Sequence, residues 1–367
     1  MCSRLYDQPT RVKFAAYAMP SYAEEFGLTQ GQFLRATAEH LMAAETLGFD
    51  SIWVNEHHFH QYGGMMPALP TMLAALSQKT TRVRLGTSVV VLPLHNPLQV
   101  AEQLAMVDLL SGGRLDFGIG RGFVAHDYEV LGVPYTDAQD RLLESLDIVR
   151  KAWSEHPFAY HGAYYDFSDV DVWPRPEQRP HPPIWIACSN TPSHFGWVGS
   201  QGYNLLTIGY TKPITALAEL TRVYRDAFAE AHGATGKHPV IATHYHTVVA
   251  EDRAEARRIA EDALREHVRL NRESRSLAKF DSSPTPEPIS VERLVDEGRL
   301  IAGDPDDCAR TLRQVSEATG ATEAHCLFQF GNIPFATANR SMSLFAENVI
   351  AQLQDAAPLL PGSRANH

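Results

Sequence analysis

Short apolar runs alternate with longer amphipathic stretches along the whole chain. VKFAAYA (12–18) predicts a buried strand. Over 30–47, Phe33, Ala36, His40, Leu41, Ala44 and Leu47 recur near helical spacing, and Gly48 predicts the stop. SIWVNE (51–56) predicts a second strand, 68–78 a helix, and the β-branched RVRLGTSVVVL (82–92) a third strand. Asn96 before Pro97 predicts a capped helix running to Leu110. GGRLDFGIG (112–120) predicts a fourth strand and 137–154 a helix. PIWIAC (183–188), YNLLTIG (203–209), PVIATHYHTVVA (239–250) and EAHCLFQF (323–330) predict the remaining strands. Helices are predicted near residue 192, over 213–231, 252–270 and 336–354, and from GDPDDCARTLRQV (303–315). Two segments break the rhythm. Residues 155–183, rich in proline and aromatics, predict an inserted excursion with a small hairpin, and the polar 275–300 predicts a mobile loop.

About eight strand–helix units in one chain, with no composition break between them, predict a single α/β domain over 1–367, a (β/α)8 TIM barrel with inserted excursions. A doubly wound sheet is the competitor. In a barrel the chemistry sits at the C-terminal ends of the strands, and that rule sorts the polar residues. Glu56, His57 and His58 follow the second strand, Arg121 the fourth, and Ser189, Asn190, Thr191 and Ser193 the fifth. Gln329 ends the eighth. These residues span most of the chain yet share one predicted rim.

Charge and composition narrow the partners. A net charge of -11 argues against nucleic acid or an anionic membrane as the main partner. The most apolar run, Leu85 to Leu94, is far short of the roughly 20 residues a membrane span needs. Cys2, Cys188, Cys308 and Cys326 form no CxxC pair, which fits a reduced compartment. The first residues, MCSRLYDQPTR, have no apolar run of a signal peptide. A cytoplasmic protein is expected.

The chemistry concentrates in three stretches. SNTPSHF (189–195) leads from a strand into a helix start with Pro192 at its first turn, where backbone N–H groups and hydroxyls suit an anion. GIGRG (118–122) puts Arg121 between glycines, and a guanidinium fork there suits a phosphate. As a dinucleotide fingerprint GIGRG fails, because its strand is the fourth and the spacing is not GxGxxG. VNEHHFHQYGG (54–64) places Glu56, His57, His58 and His60 together before a Gly pair. The adjacent His57–His58 pair at a strand end predicts proton handling, whereas His60 reads as an ordinary core or surface-loop residue. Two HxH patterns, His58–His60 and His244–His246, raise a metal-dependent barrel hydrolase. The first lies past its strand, and Gln329 stands where an acid ligand would end strand eight, so no metal is expected.

These blocks resemble the bacterial luciferase-like family of flavin-dependent monooxygenases. GFDSIWVNEHHFHQYGG, LGTSVVVLPLHNPLQVAEQLAMVDLLSGGRLDFGIGRG and HDYEVLG follow one another as family blocks, and PPIWIACSNTPS and GDPDDCARTL continue the match. The resemblance implies a (β/α)8 barrel that takes reduced FMN (FMNH2) from a separate flavin reductase. It implies that O2 is activated through a flavin peroxide to oxygenate a small organic substrate. His57 matches the family's catalytic histidine, with His58 its neighbour, and Asp127 a family active-site aspartate. Arg121 and Ser189 match phosphate-contacting residues, with Ser193 a second serine. Ser88–Val89 falls at a non-proline cis peptide under the flavin ring. Glu56, Gly122 and Gln329 complete the set expected around the cofactor. Trp53, Phe59 and Phe328 are candidates for water-excluding walls. The 275–300 segment matches a mobile cover, and a homodimer packed through the helices after strands two and three is implied.

The chain also departs from the luciferase subunit. Cys188 and Gln329 stand where that subunit has Glu, Gly120 replaces a cysteine and Val124 a tyrosine, so the long-chain aldehyde substrate does not transfer. Two further readings remain beside the metal hydrolase: a deazaflavin-dependent dehydrogenase of the same fold, and a non-catalytic flavin-binding protein.

Overall fold

The computed structural model describes residues 11–278 and 290–355. The chain runs β1 (Lys13–Ala18), α1 (Gln30–Thr46), β2 (Ser51–Val54), α2 (Leu69–Ser77), β3 (Arg84–Thr87), β4 (Val90–Val91), α3 (Pro97–Ser111) and β5 (Leu115–Gly120). It continues through α4 (Ala125–Leu131), α5 (Ala138–Ser154), β6 (Phe158–His161), β7 (Asp166–Val170), β8 (Ile184–Cys188), α6 (Pro192–Ser200), β9 (Asn204–Ile208) and α7 (Ile214–His232). The last third holds β10 (Ile241–Val249), α8 (Arg253–Ser276), α9 (Val291–Asp296), β11 (Ile301–Gly303), α10 (Pro305–Thr319), β12 (Glu323–Leu327), α11 (Phe335–Leu344) and α12 (Ala351–Asp355). One wider helical turn, Phe345–Ile350, joins the last two helices.

Eight parallel strands close a ring in the order β1, β2, β3, β5, β8, β9, β10, β12 and back to β1. The fold is therefore the (β/α)8 barrel that the alternation predicts. Continuous apolar runs are what such strands need, because one face meets the barrel interior and the other the helices. All nine residues of β10 are buried, as are all six of β5. Helix starts follow the local signals. The Asn96 side chain accepts from the N–H groups of Leu98 (3.0 Å) and Gln99 (3.4 Å), and the Asp304 side chain from that of Asp307 (2.9 Å).

The Ser-Gly-Gly-Arg-Leu block is a staple at the opposite end from the strand C-termini. Arg114 donates to the carbonyls of Ser77, Thr80, Val83 and Ser111 and to the Thr80 hydroxyl, all at 2.7–3.1 Å. It ties the ends of α2 and α3 to the start of β3.

Four details differ from the sequence expectation. The predicted third strand is two pieces. β3 stops at Thr87, the Ser88–Val89 peptide is cis, and β4 pairs beside β5. Helix α4 was not anticipated; nor was β11, which extends the end of β10. The predicted 275–300 loop begins as the last turn of α8 and holds helix α9, while residues 279–289 of it lie outside the described residues. Within 155–183, β6 and β7 form an antiparallel hairpin.

Candidate active site

A cleft opens at the C-terminal ends of the barrel strands. Its wall carries Glu56 and His57 from the loop after β2, Ser88 and Val89 from the break between β3 and β4, and Arg121 and Gly122 after β5. Asp127 reaches it from α4, and Ser189, Asn190 and Thr191 from the turn between β8 and α6. Residues from five separate stretches thus share one rim, as the strand-end rule requires.

Glu56 is a buried carboxylate that organises its neighbours. Its Oε1 accepts from His58 Nε2 and His95 Nε2, both at 2.7 Å, and Oε2 from the Val91 N–H at 3.3 Å. Burial alone would raise its pKa, but the bonds from His58 and His95 hold it below the usual carboxylate range. Burial likewise works to lower the pKa of His95, and the Glu56 bond raises it above the ordinary value. His58 is therefore committed to Glu56 and is absent from the cleft wall.

His57 is on the wall. Burial first, and then neighbouring His60, push its pKa down to about 3, so its imidazole is neutral at physiological pH. Gly63, at φ +72°, packs against it, and a Cβ there would sit 2.4 Å from His57 Cδ2. Behind His57 lies His60, whose side chain is buried and whose Nε2 is 3.5 Å from Asp127 Oδ1. Of the two ordinary places expected for His60, core or surface loop, the side chain takes the buried one. Nothing in HHFH says which histidine turns inward; the turn through Phe59, at φ +59°, decides it.

The anion side is built from Arg121 and the start of α6. Among the described residues the Arg121 guanidinium has no carboxylate partner and lies 5.3 Å from the centre of the Tyr135 ring. No side chain caps the N-terminus of α6, where Pro192 leads the helix. Lys212, which the sequence did not single out, donates to the Ser189 carbonyl, and burial then Arg299 lower its pKa to about 8. Besides His58, two expected residues stand off the wall. Ser193 is exposed on the first turn of α6, and Gln329 donates to the Ile333 carbonyl (3.2 Å). Cys188 is on the wall, its thiol pushed up to about 12 by burial.

The cleft floor is closely packed. A Cβ on Gly120 would lie 2.7 Å from Val89 Cγ2 and 3.3 Å from Ala187 Cβ. The Ser88 Oγ lies 2.8 Å from His244 Nε2, and His244 Nδ1 lies 2.9 Å from the Thr207 carbonyl. Tyr17, Val91, Ile186 and Leu206 give apolar surface. They replace Trp53 and Phe328, which are core, and Phe59, which is half exposed.

Among the described residues, two clusters have metal-ligand chemistry, Glu56–His58–His95 and His57–His60–Asp127, with ligand atoms within 4.8 Å of one another in each. The first is already closed by its own hydrogen bonds.

The profile of the luciferase-like monooxygenases matches residues 16–323. The chain belongs to the luciferase-like monooxygenase family. It is an oxidoreductase that incorporates molecular oxygen. The 4-hydroxyprotoasukamycin monooxygenase of Streptomyces nodosus is 28% identical over 84% of this chain and 84% of its own. The oxygenase component of a flavin-dependent trigonelline monooxygenase from Acinetobacter baylyi is 36% identical over 45% of this chain and 46% of its own. The crystal structure of monooxygenase RslO1 from Streptomyces bottropensis superposes with a TM-score of 0.85, at 29% identity, covering 93% of this chain and 99% of that one. F420-dependent glucose-6-phosphate dehydrogenases are also among the relatives.

The donor set of this luciferase-like cleft fits a flavin mononucleotide. A cation without a carboxylate partner among the described residues and an uncapped helix start suit a phosphate, and the apolar side chains of the floor suit a ring system.

Proposed function

We propose that this monooxygenase is the oxygenase half of a two-component system, using reduced FMN from a separate reductase and O2 to oxygenate a small organic substrate. The observation that carries the reading is that one cleft holds Arg121, without a carboxylate partner among the described residues, the turn into α6, and a neutral, buried His57. Reduced FMN supplies the electrons that activate oxygen; the protein's part is to hold, shield and manage protons.

Arg121 and Ser189 would hold the phosphate, with Lys212 adding positive charge behind Ser189. The Ser88–Val89 segment and Gly120 would back the ring. Tyr17, Val91 and Leu206 exclude water from the floor. His57, neutral, can accept a proton at a ring nitrogen on the cleft wall and return it, with the His60 ring packed against it at 5.4 Å between centroids. Glu56 fixes the loop that carries His57 and stays ionised through its two imidazole donors. The relative named as an oxygenase component supports a reductase partner, and the three described thiols, all unpaired, support a reducing compartment.

The test is anaerobic titration with reduced FMN, followed by oxygen and a substrate panel, for the wild type and His57→Ala. We expect His57→Ala to keep FMN affinity within about threefold and to lose product formation by about 100-fold or more. Turnover with reduced F420 and no oxygen uptake with reduced FMN would instead assign a deazaflavin-dependent dehydrogenase.

A further inference from the structure

The hydrogen positions around Ser88 follow from the chemistry of its neighbours. The Thr207 carbonyl can only accept, so His244 Nδ1, 2.9 Å away, carries the ring's hydrogen. The ring is buried and neutral, with its pKa lowered to about 3. His244 Nε2 is then a bare lone pair. Ser88 Oγ lies 2.8 Å from that nitrogen, so within this pair the serine O–H is the donor. His325 Nδ1 approaches the same lone pair at the longer distance of 3.1 Å, so the serine is its nearer partner. Ser88 and His244 both line the cleft, and the Tyr17 ring packs edge-on against His244 at 4.7 Å between centroids.

A serine hydroxyl has one hydrogen and two acceptor sites. We infer that Ser88, its hydrogen committed to His244, presents only an acceptor to the cleft and makes the site select the reduced, N–H-bearing flavin ring over the oxidised one. This rests on the flavin reading above. Reduction turns a ring nitrogen of flavin from an acceptor into a donor. An acceptor-only wall rewards the reduced form and sets lone pair against lone pair in the oxidised form. Thr207, His244 and Ser88 thus form a one-directional chain whose start, a backbone carbonyl, cannot reverse. His244 is a positioning residue that acts through Ser88.

The experiment measures dissociation constants for oxidised and reduced FMN, the latter under anaerobic conditions, on the full chain. The wild type should bind reduced FMN more tightly. Ser88→Ala should shrink the reduced-to-oxidised preference about tenfold, equivalent to about 30 mV in the two-electron potential of the bound flavin. His244→Phe frees the serine hydrogen, so oxidised FMN should bind more tightly while Ser88 itself is untouched. With 5-deaza-FMN, which has carbon in place of that ring nitrogen, Ser88→Ala should leave the preference unchanged. Should His244→Phe fail to fold, Ser88→Ala with the two cofactors decides alone. An equal loss for both redox states of FMN, or an unchanged preference, would overturn the inference and leave the flavin reading standing. Failure of the wild type to bind either form of FMN would overturn both.

Discussion

At the scale of single residues, the type of side chain was legible and its direction was not. Glu56, His57, Arg121 and Ser189 follow strand ends in the sequence, and all four reach the cleft wall. His58, next to His57, does not, because Glu56 captures it together with His95, 39 positions from Glu56. A partner so distant leaves no local mark on the sequence. Tyr17, Tyr62 and Tyr210 were missed for a related reason, since each reads as an ordinary core aromatic. Arg121 gives the sharpest residue-level expectation. A charge-assisted bond to a phosphate contributes about 1.5–3 kcal/mol. Arg121→Ala should therefore weaken FMN binding about 10- to 100-fold and leave riboflavin, which lacks the phosphate, unaffected. Parallel titrations of the two ligands measure this.

Among elements, those with caps or long apolar periods were legible, and short uncapped ones were not. Asn96–Pro97 and Asp304–Pro305 announced α3 and α10. Helix α4 has seven residues and begins after Val124, which offers no side-chain cap, so nothing in its sequence marks a start. β11 has three residues, too few for a period to show. The break of the third strand left the β-branched run intact in sequence and split it in space. The C-terminal half of helix α3 is apolar on its outer side too, with Met106, Leu109 and Leu110 exposed by 51%, 41% and 49%. An exposed apolar patch of this kind wants cover. We propose that a second copy of the chain covers this one, in line with the expected homodimer. Met106→Glu combined with Leu110→Glu should give a monomer with an unchanged circular dichroism spectrum, where light scattering finds the wild type dimeric.

For the whole molecule, the barrel was legible because eight repeats of one pattern outvote any local error. Its interior brings a further property. Burial lowers the pKa of His57, His244 and His325 to about 3 and of His267 to about 4. Unfolded, each would titrate near 6.5. Above that pH these groups are neutral in both states and cost nothing. Below it the unfolded chain binds protons that the folded one refuses, so stability falls as pH falls toward the folded values. Each group removes about 1.4 kcal/mol per pH unit in that window. Four of them together would exhaust the roughly 5–15 kcal/mol of a typical domain well above pH 3. Urea midpoints should be level above about pH 7 and drop steeply between pH 6 and 4.

The protonated thiol of Cys188 bears on how long the enzyme lasts. Oxygen that reacts without reaching a substrate leaves as hydrogen peroxide, and the Cys188 thiol lies on the wall of the cleft it leaves through. Peroxide attacks thiolates, not thiols. With a pKa near 12 only about one in ten thousand copies of this thiol is ionised at pH 8. The catalyst should therefore outlive many wasted cycles, and peptide mass spectra after hours of idle turnover should show Cys188 still unoxidised.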